Sequence, residues 1–188
     1  MDIIKDLINF INNNNNNNYI NALETGTIRT YTEKHESTRW LGESIKNGHI
    51  ISIDIEPAHI EISKQICKHL NNIEWIHGDS LEILAKQEQS KFDFILLDSV
   101  NNKEHIFEEF KLALKLIKLN GIIMIDDFGV DTNYQIPDIS QIDAVKGVKV
   151  FDILKKNNLL KYLKLYQSNK GVQGIFINIQ EELKYFNF

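Results

Sequence analysis

The sequence predicts an α/β fold, in which a doubly wound, mostly parallel sheet is closed by an antiparallel hairpin near the carboxyl end. Three observations support this prediction. Short apolar segments alternate with helical patterns, the pairs recur at intervals of roughly 20 to 30 residues, and two adjoining strand patterns follow near the end. Because 188 residues with 43% hydrophobic content can fill one core, we expect a single domain over residues 1–188.

The first segment, residues 1–18, is predicted to be a short helix followed by an asparagine-rich connector. Apolar side chains recur at helical spacing over residues 2–11, which predicts an amphipathic helix packed on the domain. The asparagine run at residues 12–18 should end this helix, because asparagine forms helices poorly and favours turns. We expect the run to be a solvated connector.

Five apolar segments, each too short for a helix, predict buried parallel strands. They lie at residues 19–23, 50–53, 73–76, 92–97 and 122–125.

Helical patterns lie between these strands. One begins at Pro57, a residue that suits a first helical turn, and repeats its apolar positions as far as Leu70. Another runs from Ile106 to Ile117, with Asn120 and Gly121 as its expected C-terminal cap. Strands and helices in this alternation predict βαβ units with right-handed crossovers, the arrangement of a Rossmann-like sheet.

The last third of the sequence changes character. Residues 145–156 predict a helix, and residues 160–166 and 172–179 predict two strands joined at residues 167–171. This pair should close the parallel sheet in antiparallel fashion.

Charge and composition exclude some partners. The net charge is −5 and the lysines are scattered, so we expect no nucleic-acid partner. No apolar run approaches membrane-spanning length, and the start lacks the basic and apolar regions of a secretory signal. The single cysteine, Cys67, is predicted to be a buried structural thiol in a reducing compartment. We therefore expect a cytoplasmic protein with no membrane partner, and a homodimer is one candidate assembly.

An acidic residue follows every predicted parallel strand. In an open α/β sheet these strand ends share one edge, where ligands bind, and five acids there would repel one another unless they held something. The competing interpretation is that each acid caps the helix that follows it. The five residues are Glu24, Asp54, Asp79, Asp98 and Asp126.

The first two strand ends indicate the kind of ligand. In Glu24-Thr25-Gly26, the glycine lets the backbone turn tightly and approach a ligand. The full G-x-G-x-x-G pattern is absent, which argues against a dinucleotide and leaves a ligand without phosphate compatible. Asp54, about 30 residues further on, suits a ribose diol, and Asp79 could accept from an exocyclic amine.

The ordered motifs ETG, IDIEP, HGDSLEIL, FDFILLD and LKLNGIIMIDD resemble those of class I S-adenosylmethionine-dependent methyltransferases over residues 19–127. The resemblance implies that Glu24 and Gly26 lie by the methionine portion of S-adenosyl-L-methionine. It also implies that Asp54 holds the ribose hydroxyls and that Asp79 with Ser80 meets the adenine. The rest of the implied cofactor-binding set is Thr25, Ile55, Gly78 and Asp98.

Within that class, the acids Asp98, Asp126 and Asp127 and the strand motifs before them resemble the motifs of one branch, the metal-dependent O-methyltransferases. Enzymes of this branch act on catechols, caffeoyl thioesters and macrolide sugars. The resemblance implies that these three acids hold a divalent cation such as Mg²⁺. Such a cation takes oxygen ligands, binds the substrate hydroxyl and lowers its pKa. The alternative is a helix cap and a solvated turn.

The predicted catalytic residues are Asp98, Lys103 and His105. Where the metal-dependent branch has Lys or His three residues after the first acid, this chain has Asn101, which cannot act as a general base. Lys103 or His105 of the same loop could substitute, although a solvent-facing His105 on the next helix is the favoured interpretation.

An acceptor pocket is expected from the loops at residues 27–37, 99–105 and 128–141. Phe128, Tyr134, Ile136 and Pro137 make the last loop apolar enough for a small aromatic or glycosidic acceptor, and the alternative is that these side chains only pack the loop onto the domain. Three functions stay open: a small-molecule O-methyltransferase, a catalytically degenerate S-adenosylmethionine-binding module, and a nicotinamide-dependent oxidoreductase. The missing glycines count against the last.

Overall fold

The computed structural model describes residues 2–14, 19–31, 36–135, 142–143, 145–168, 171–177 and 179. Within them, helices and strands alternate along the chain. The helices are α1 (Asp2–Asn14), α2 (Ser37–Ser44), α3 (Pro57–Ile66), α4 (Ser80–Leu84), α5 (Lys103–Leu116) and α6 (Val148–Lys156). The strands are β1 (Ile20–Thr25), β2 (Gly48–Asp54), β3 (Ile73–His77), β4 (Phe92–Leu97), β5 (Ile117–Ile125), β6 (Leu163–Ser168) and β7 (Gly171–Ile177).

The strands form one seven-stranded sheet in the order β3-β2-β1-β4-β5-β7-β6. The first five are parallel, and β7 pairs antiparallel with both β5 and β6. The predicted α/β fold with a closing antiparallel hairpin is therefore confirmed. The chain order reverses between β1 and β4, so the crevice of this sheet lies above those two strands.

Successive side chains of each strand enter two separate cores, because side chains alternate between the faces of a sheet. Ala22 and Phe94 face α1 and α2 on one side. Leu23 and Ile95 face α4, α5 and α6 on the other. All four are fully buried, so the two layers of helices fix the sheet from both sides.

The predicted cap of α5 at Asn120-Gly121 is wrong. The helix ends at Leu116, and Ile117 enters β5 at once by pairing with Phe92. Asn120 adopts a positive φ of 66° inside β5, where the register with β4 shifts. The two residues therefore mark a bulge in a strand, a position that favours residues tolerant of positive φ.

Other boundaries also differ from the predictions. Helix α1 continues through Asn14, so the asparagines at residues 12–14 are helical, and residues 15–18 lie outside the described chain. Helices α2 and α4 were not predicted. Cys67 is buried, and burial raises the pKa of its thiol to about 12, as fits a structural thiol. No helix in the described part of the chain is long and apolar enough to cross a membrane.

Candidate cofactor and acceptor site

The carboxyl ends of β1 to β5 form one edge of the sheet, called the carboxyl rim below. Thr25 of β1 lies opposite Ile53 of β2 and Leu97 of β4, and Leu97 lies opposite Ile125 of β5. The strands therefore end at nearly the same level. The acids predicted to share an edge lie within the last residues of these strands or shortly after them: Glu24, Asp54, Asp79, Asp98 and Asp126.

Glu24 lies fully buried near the end of β1. The Ser52 hydroxyl donates to its Oε1 at 2.7 Å, and within the described residues its Oε2 has no hydrogen-bond partner. Burial raises the pKa of Glu24 to about 7; the charges of Asp98 and Asp54 add to this rise, and the Thr38 and Ser52 hydroxyls oppose it. A buried carboxyl group with an unused oxygen suits a positively charged partner.

Gly26 makes the tight turn that the sequence predicted after β1. Its φ is +81°, and an added Cβ would lie 2.3 Å from the carbonyl oxygen of Asp98. Its N–H donates to the Ile53 carbonyl at 2.8 Å. Only glycine fits here without strain, because the conformation is left-handed and the neighbouring backbone fills the place of a side chain.

Asp54 ends β2 with its carboxylate facing several donors. Its Oδ2 accepts from the Thr27 N–H at 3.0 Å, and its Oδ1 accepts from the Glu56 N–H at 2.9 Å. His59 Nδ1 lies 3.2 Å from Oδ1. Since a carboxylate offers about four acceptor positions, Oδ2 can accept one more hydrogen bond. The next residue, Ile55, is 60% exposed and adds an apolar surface beside this carboxylate.

Asp79 caps helix α4. Its Oδ1 accepts from the N–H groups of Leu81 at 2.8 Å and Glu82 at 3.2 Å, so the helix-cap interpretation holds for this acid. The preceding Gly78 has a φ of +150°, and its N–H donates to the Asp54 carbonyl at 3.0 Å. The turn after β3 is thus tied to the end of β2.

His105 joins three elements of the site. Its Nε2 lies 3.0 Å from Ser80 Oγ and 3.3 Å from Oε1 of the fully buried Glu109. Glu109 Oε2 accepts from the Thr25 hydroxyl at 3.1 Å. The hydrogen bond to Glu109 raises the pKa of His105, although burial opposes the rise. The solvent-facing interpretation of His105 is wrong, because its side chain connects α4, α5 and β1 and is only 26% exposed.

Lys103 points to a different partner. Its Nζ lies 2.5 Å from Asp143 Oδ1, and the hydrogen bond to Asp143 raises the pKa of Lys103. A lysine held as an ammonium ion has no lone pair with which to accept a proton. The geometry therefore argues against Lys103 as the general base.

Asp98, directly after β4, is held by two cationic side chains. Lys146 Nζ donates to its Oδ1, and the Arg29 guanidinium donates to the carbonyl oxygens of Asp98 at 2.9 Å and Ser99 at 2.8 Å. Burial raises the pKa of Asp98, and the charge of Lys146 opposes this rise. Lys146 was not predicted, since it lies 48 residues from Asp98 and no local pattern links the two.

Asp126 and Asp127 do not complete a metal site with Asp98. Asp126 Oδ1 accepts from Gln173 Nε2 and from the Asp127 N–H, each at 3.0 Å. Asp127 has a φ of 47°, and its Oδ1 lies against Gly171 at the start of β7. In the described part of the chain, no three His, Cys, Asp or Glu side chains are grouped so as to hold a metal ion. The three predicted ligands are therefore not gathered into one metal site in the described structure.

The loops predicted to form an acceptor pocket expose apolar surface. Tyr31 is 64% exposed, and Val100 and Tyr134 are each 41% exposed. The Tyr134 ring stacks on Phe151 with 6.0 Å between ring centroids, which supports that side chain from below.

Of the two interpretations of Phe128, pocket lining and packing, the structure agrees with packing. Phe128 is fully buried, its ring centroid lies 5.9 Å from that of Phe176, and it belongs to the core. Ile136 and Pro137 lie outside the described residues.

Comparison with known sequences identifies a protein family and curated relatives. A family profile described as a methyltransferase domain matches residues 35–128, half of the chain. The malonyl-(acyl-carrier protein) O-methyltransferase of Halalkalibacterium halodurans is 24% identical over 149 residues, which cover 77% of this chain and 54% of that protein. The chain thus spans about half the length of this curated relative.

Comparison with solved structures identifies the same architecture. The O-methyltransferase from Bacillus cereus in complex with SAH is 24% identical, with 92% of this chain and 78% of that chain covered and a TM-score of 0.63. A candidate caffeoyl-CoA O-methyltransferase from Staphylococcus aureus is 20% identical, with 94% and 81% covered and a TM-score of 0.66. At these identities the likeness establishes the fold.

Proposed function

The chain belongs to the methyltransferase domain family, and from this premise we propose that it transfers a methyl group from S-adenosyl-L-methionine to a hydroxyl oxygen of a small molecule. The observation that carries the proposal is the carboxyl group of Glu24, which is fully buried at the rim with one oxygen unpaired in the described structure. The cofactor has a positively charged amino group and a sulfonium, either of which this carboxyl group can balance.

The rest of the rim fits the nucleoside part of the same cofactor. Asp54 Oδ2 has room for a ribose hydroxyl, and the exposed side chain of Ile55 offers an apolar face to the adenine ring. Asp79 Oδ1 caps α4, so Asp79 Oδ2 is the oxygen that would accept a hydrogen bond from the adenine amino group. The turn at Gly26 removes the side chain that would otherwise obstruct the middle of the ligand.

S-adenosyl-L-methionine, held by the residues of the rim, would supply the methyl group, with the sulfur as leaving group retaining the electron pair of the broken carbon–sulfur bond. The acceptor oxygen would lose its proton to solvent. The chain contributes position and charge. Glu24 and Asp54 hold opposite parts of the cofactor, and the Arg29 guanidinium fixes the backbone of the loop after β4. Such positioning supplies a large share of the rate in transfers of this kind.

The acceptor side of the proposal rests on the loops beside Asp98. Tyr31, Val100 and Tyr134 expose apolar side chains there, which suits a flat aromatic acceptor or the less polar face of a sugar. The Halalkalibacterium halodurans relative and the Bacillus cereus structure are O-methyltransferases, which favours oxygen as the accepting atom.

The proposal is tested first by thermal unfolding with S-adenosylmethionine, S-adenosylhomocysteine and NAD side by side. A ligand that binds only the native state raises the unfolding midpoint by mass action, so both sulfur nucleosides should raise it and NAD should not. A rise with NAD alone would favour the oxidoreductase. Methyl transfer to a panel of phenols, sugars and amines then separates an enzyme from a degenerate binding module.

A further inference from the structure

The side chain of Lys146 is buried beside the rim. It lies just before α6 and is 2% exposed, although lysine is almost never fully buried without a partner. Its Nζ pairs with Asp98 Oδ1. The Gly147 N–H donates to the Phe128 carbonyl at 2.9 Å, so the backbone next to Lys146 is fixed to the loop that follows β5.

Charged groups from several elements act on Asp98, and Glu24 of β1 is one of them. The charge of Asp126 acts on Asp98 from the end of β5, and Arg29 acts on it from the loop after β1. Among the described residues, Lys146 is the only one of these groups that forms a hydrogen bond with the Asp98 carboxylate; Arg29 donates to the main-chain carbonyl of Asp98 instead. Asp98 and Asp126 thus share a small region that contains one fixed ammonium ion.

We propose that the Lys146 ammonium permanently occupies the place that a divalent cation would take beside Asp98 and Asp126, so that the rim carries its own cation and takes up no metal. Three contacts support this. Lys146 Nζ donates a hydrogen bond to Asp98 Oδ1, and Gln173 Nε2 donates one to Asp126 Oδ1. Asp127 Oδ1 lies against Gly171.

The reason is electrostatic. Ca²⁺ binds six to eight oxygen ligands, and Mg²⁺ requires an octahedral set of oxygen ligands. Here the Asp98 carboxylate is already paired with the Lys146 ammonium ion. This ammonium ion would strongly repel an incoming cation, because the site is partly buried. Lys146 is therefore a positioning residue, which holds Asp98 in place for the proposed methyl transfer.

Binding of Mn²⁺ alone, followed by electron paramagnetic resonance, tests the proposal without an acceptor. The wild-type protein should not bind Mn²⁺ measurably. Lys146→Gln should bind Mn²⁺ measurably, because the carboxylates of Asp98 and Asp126 are then left without the Lys146 ammonium ion. Lys146→Arg keeps the charge and should behave as wild type, and Lys146→Gln with Asp98→Asn should lose the new binding.

Two results would overturn the proposal. One is Mn²⁺ binding by the wild-type protein that Asp126→Asn abolishes. The other is a folded Lys146→Gln variant, verified by circular dichroism, that still binds no Mn²⁺. If that variant does not fold, the wild-type and Asp126→Asn measurements alone decide.

The role of Lys146 in transfer rests on the proposed function, and a separate measurement distinguishes the two. S-adenosylhomocysteine should raise the unfolding midpoint equally with EDTA and with Mg²⁺. If Mn²⁺ binds while this rise persists, the inference about Lys146 fails alone. If the rise is absent while the Mn²⁺ results are as expected, the proposed function fails alone.

Discussion

Glu24 of β1 and Ser52 of β2 lie opposite each other on neighbouring parallel strands, and the Ser52 hydroxyl donates to Glu24 Oε1 at 2.7 Å. The Thr38 and Ser52 hydroxyls, which oppose the rise, do not compensate for full burial, so the pKa of Glu24 is raised from 4.5 to about 7.

The raised pKa makes stability depend on pH. An acid whose pKa is higher in the folded state stabilises the fold below its unfolded value and loses this effect as pH rises through the folded value. Between about pH 4.5 and 7, the free energy of unfolding of wild type should fall relative to Glu24→Gln by up to about 3 kcal/mol. Urea unfolding across this range measures the difference. The exposed Glu61→Gln is the control, and parallel curves for wild type and Glu24→Gln would contradict the prediction.

Gly26→Ala should destabilise the protein by about 2 to 4 kcal/mol and abolish cofactor binding. The new methyl group would meet the Asp98 carbonyl oxygen at 2.3 Å and would also require a left-handed backbone from alanine. Gly42→Ala in α2 is a matched control, because its methyl group meets the end of the Leu70 side chain, which can move. Thermal unfolding with and without S-adenosylhomocysteine compares them, and equal behaviour of the two variants would count against the turn at Gly26.

The pKa of His105 should be above its usual value of about 6.5 when measured by NMR titration, and Glu109→Gln should lower it. The pairing of His105 should therefore stabilise the fold below about pH 6.5, and this effect is lost as pH rises through the folded value. Glu108→Gln, on the same helix but paired with Lys111, should leave the titration of His105 unchanged. An unchanged pKa in Glu109→Gln would show that the buried carboxylate does not act on the ring.

Lys103→Ala should retain methyl transfer to within about 2-fold. Removal of a general base costs about 10² to 10⁴ in rate, but Lys103 is held by Asp143 and is not expected to accept a proton. Initial rates at saturating cofactor measure this directly. A loss of about 100-fold or more, with the unfolding midpoint unchanged, would restore Lys103 as the base.

The parallel strands and their acidic ends were predictable because both depend on local sequence. A buried strand is a short apolar run, and the residue after it must lie at the sheet edge, so Asp54 and Asp98 could be placed from spacing alone. The same reasoning could not separate ligand binding from helix capping, and at Asp79 the structure shows the helix cap.

The contacts that decide the chemistry depend on tertiary structure. Lys146 meets Asp98 from 48 residues away, and Glu109 meets Thr25 from 84 residues away, with no local pattern to reveal either pair. Helix α2 had a weak signal in the apolar spacing of Leu41 and Ile45, which the preceding loop prediction obscured. Asn120 and Gly121 were misassigned because a bulge and a helix cap both favour residues that adopt positive φ.

The most direct test of the proposed site is calorimetric titration of S-adenosylhomocysteine into the wild-type protein and into Asp54→Asn. Wild type should bind one equivalent, and Asp54→Asn should bind at least about 10-fold more weakly, because a hydrogen bond to a charged group is worth about 1.5 to 3 kcal/mol. Asp6→Asn on the exposed side of α1 should bind as wild type. Absence of binding by the wild-type protein, or equal affinity of wild type and Asp54→Asn, would contradict a cofactor site at the carboxyl rim.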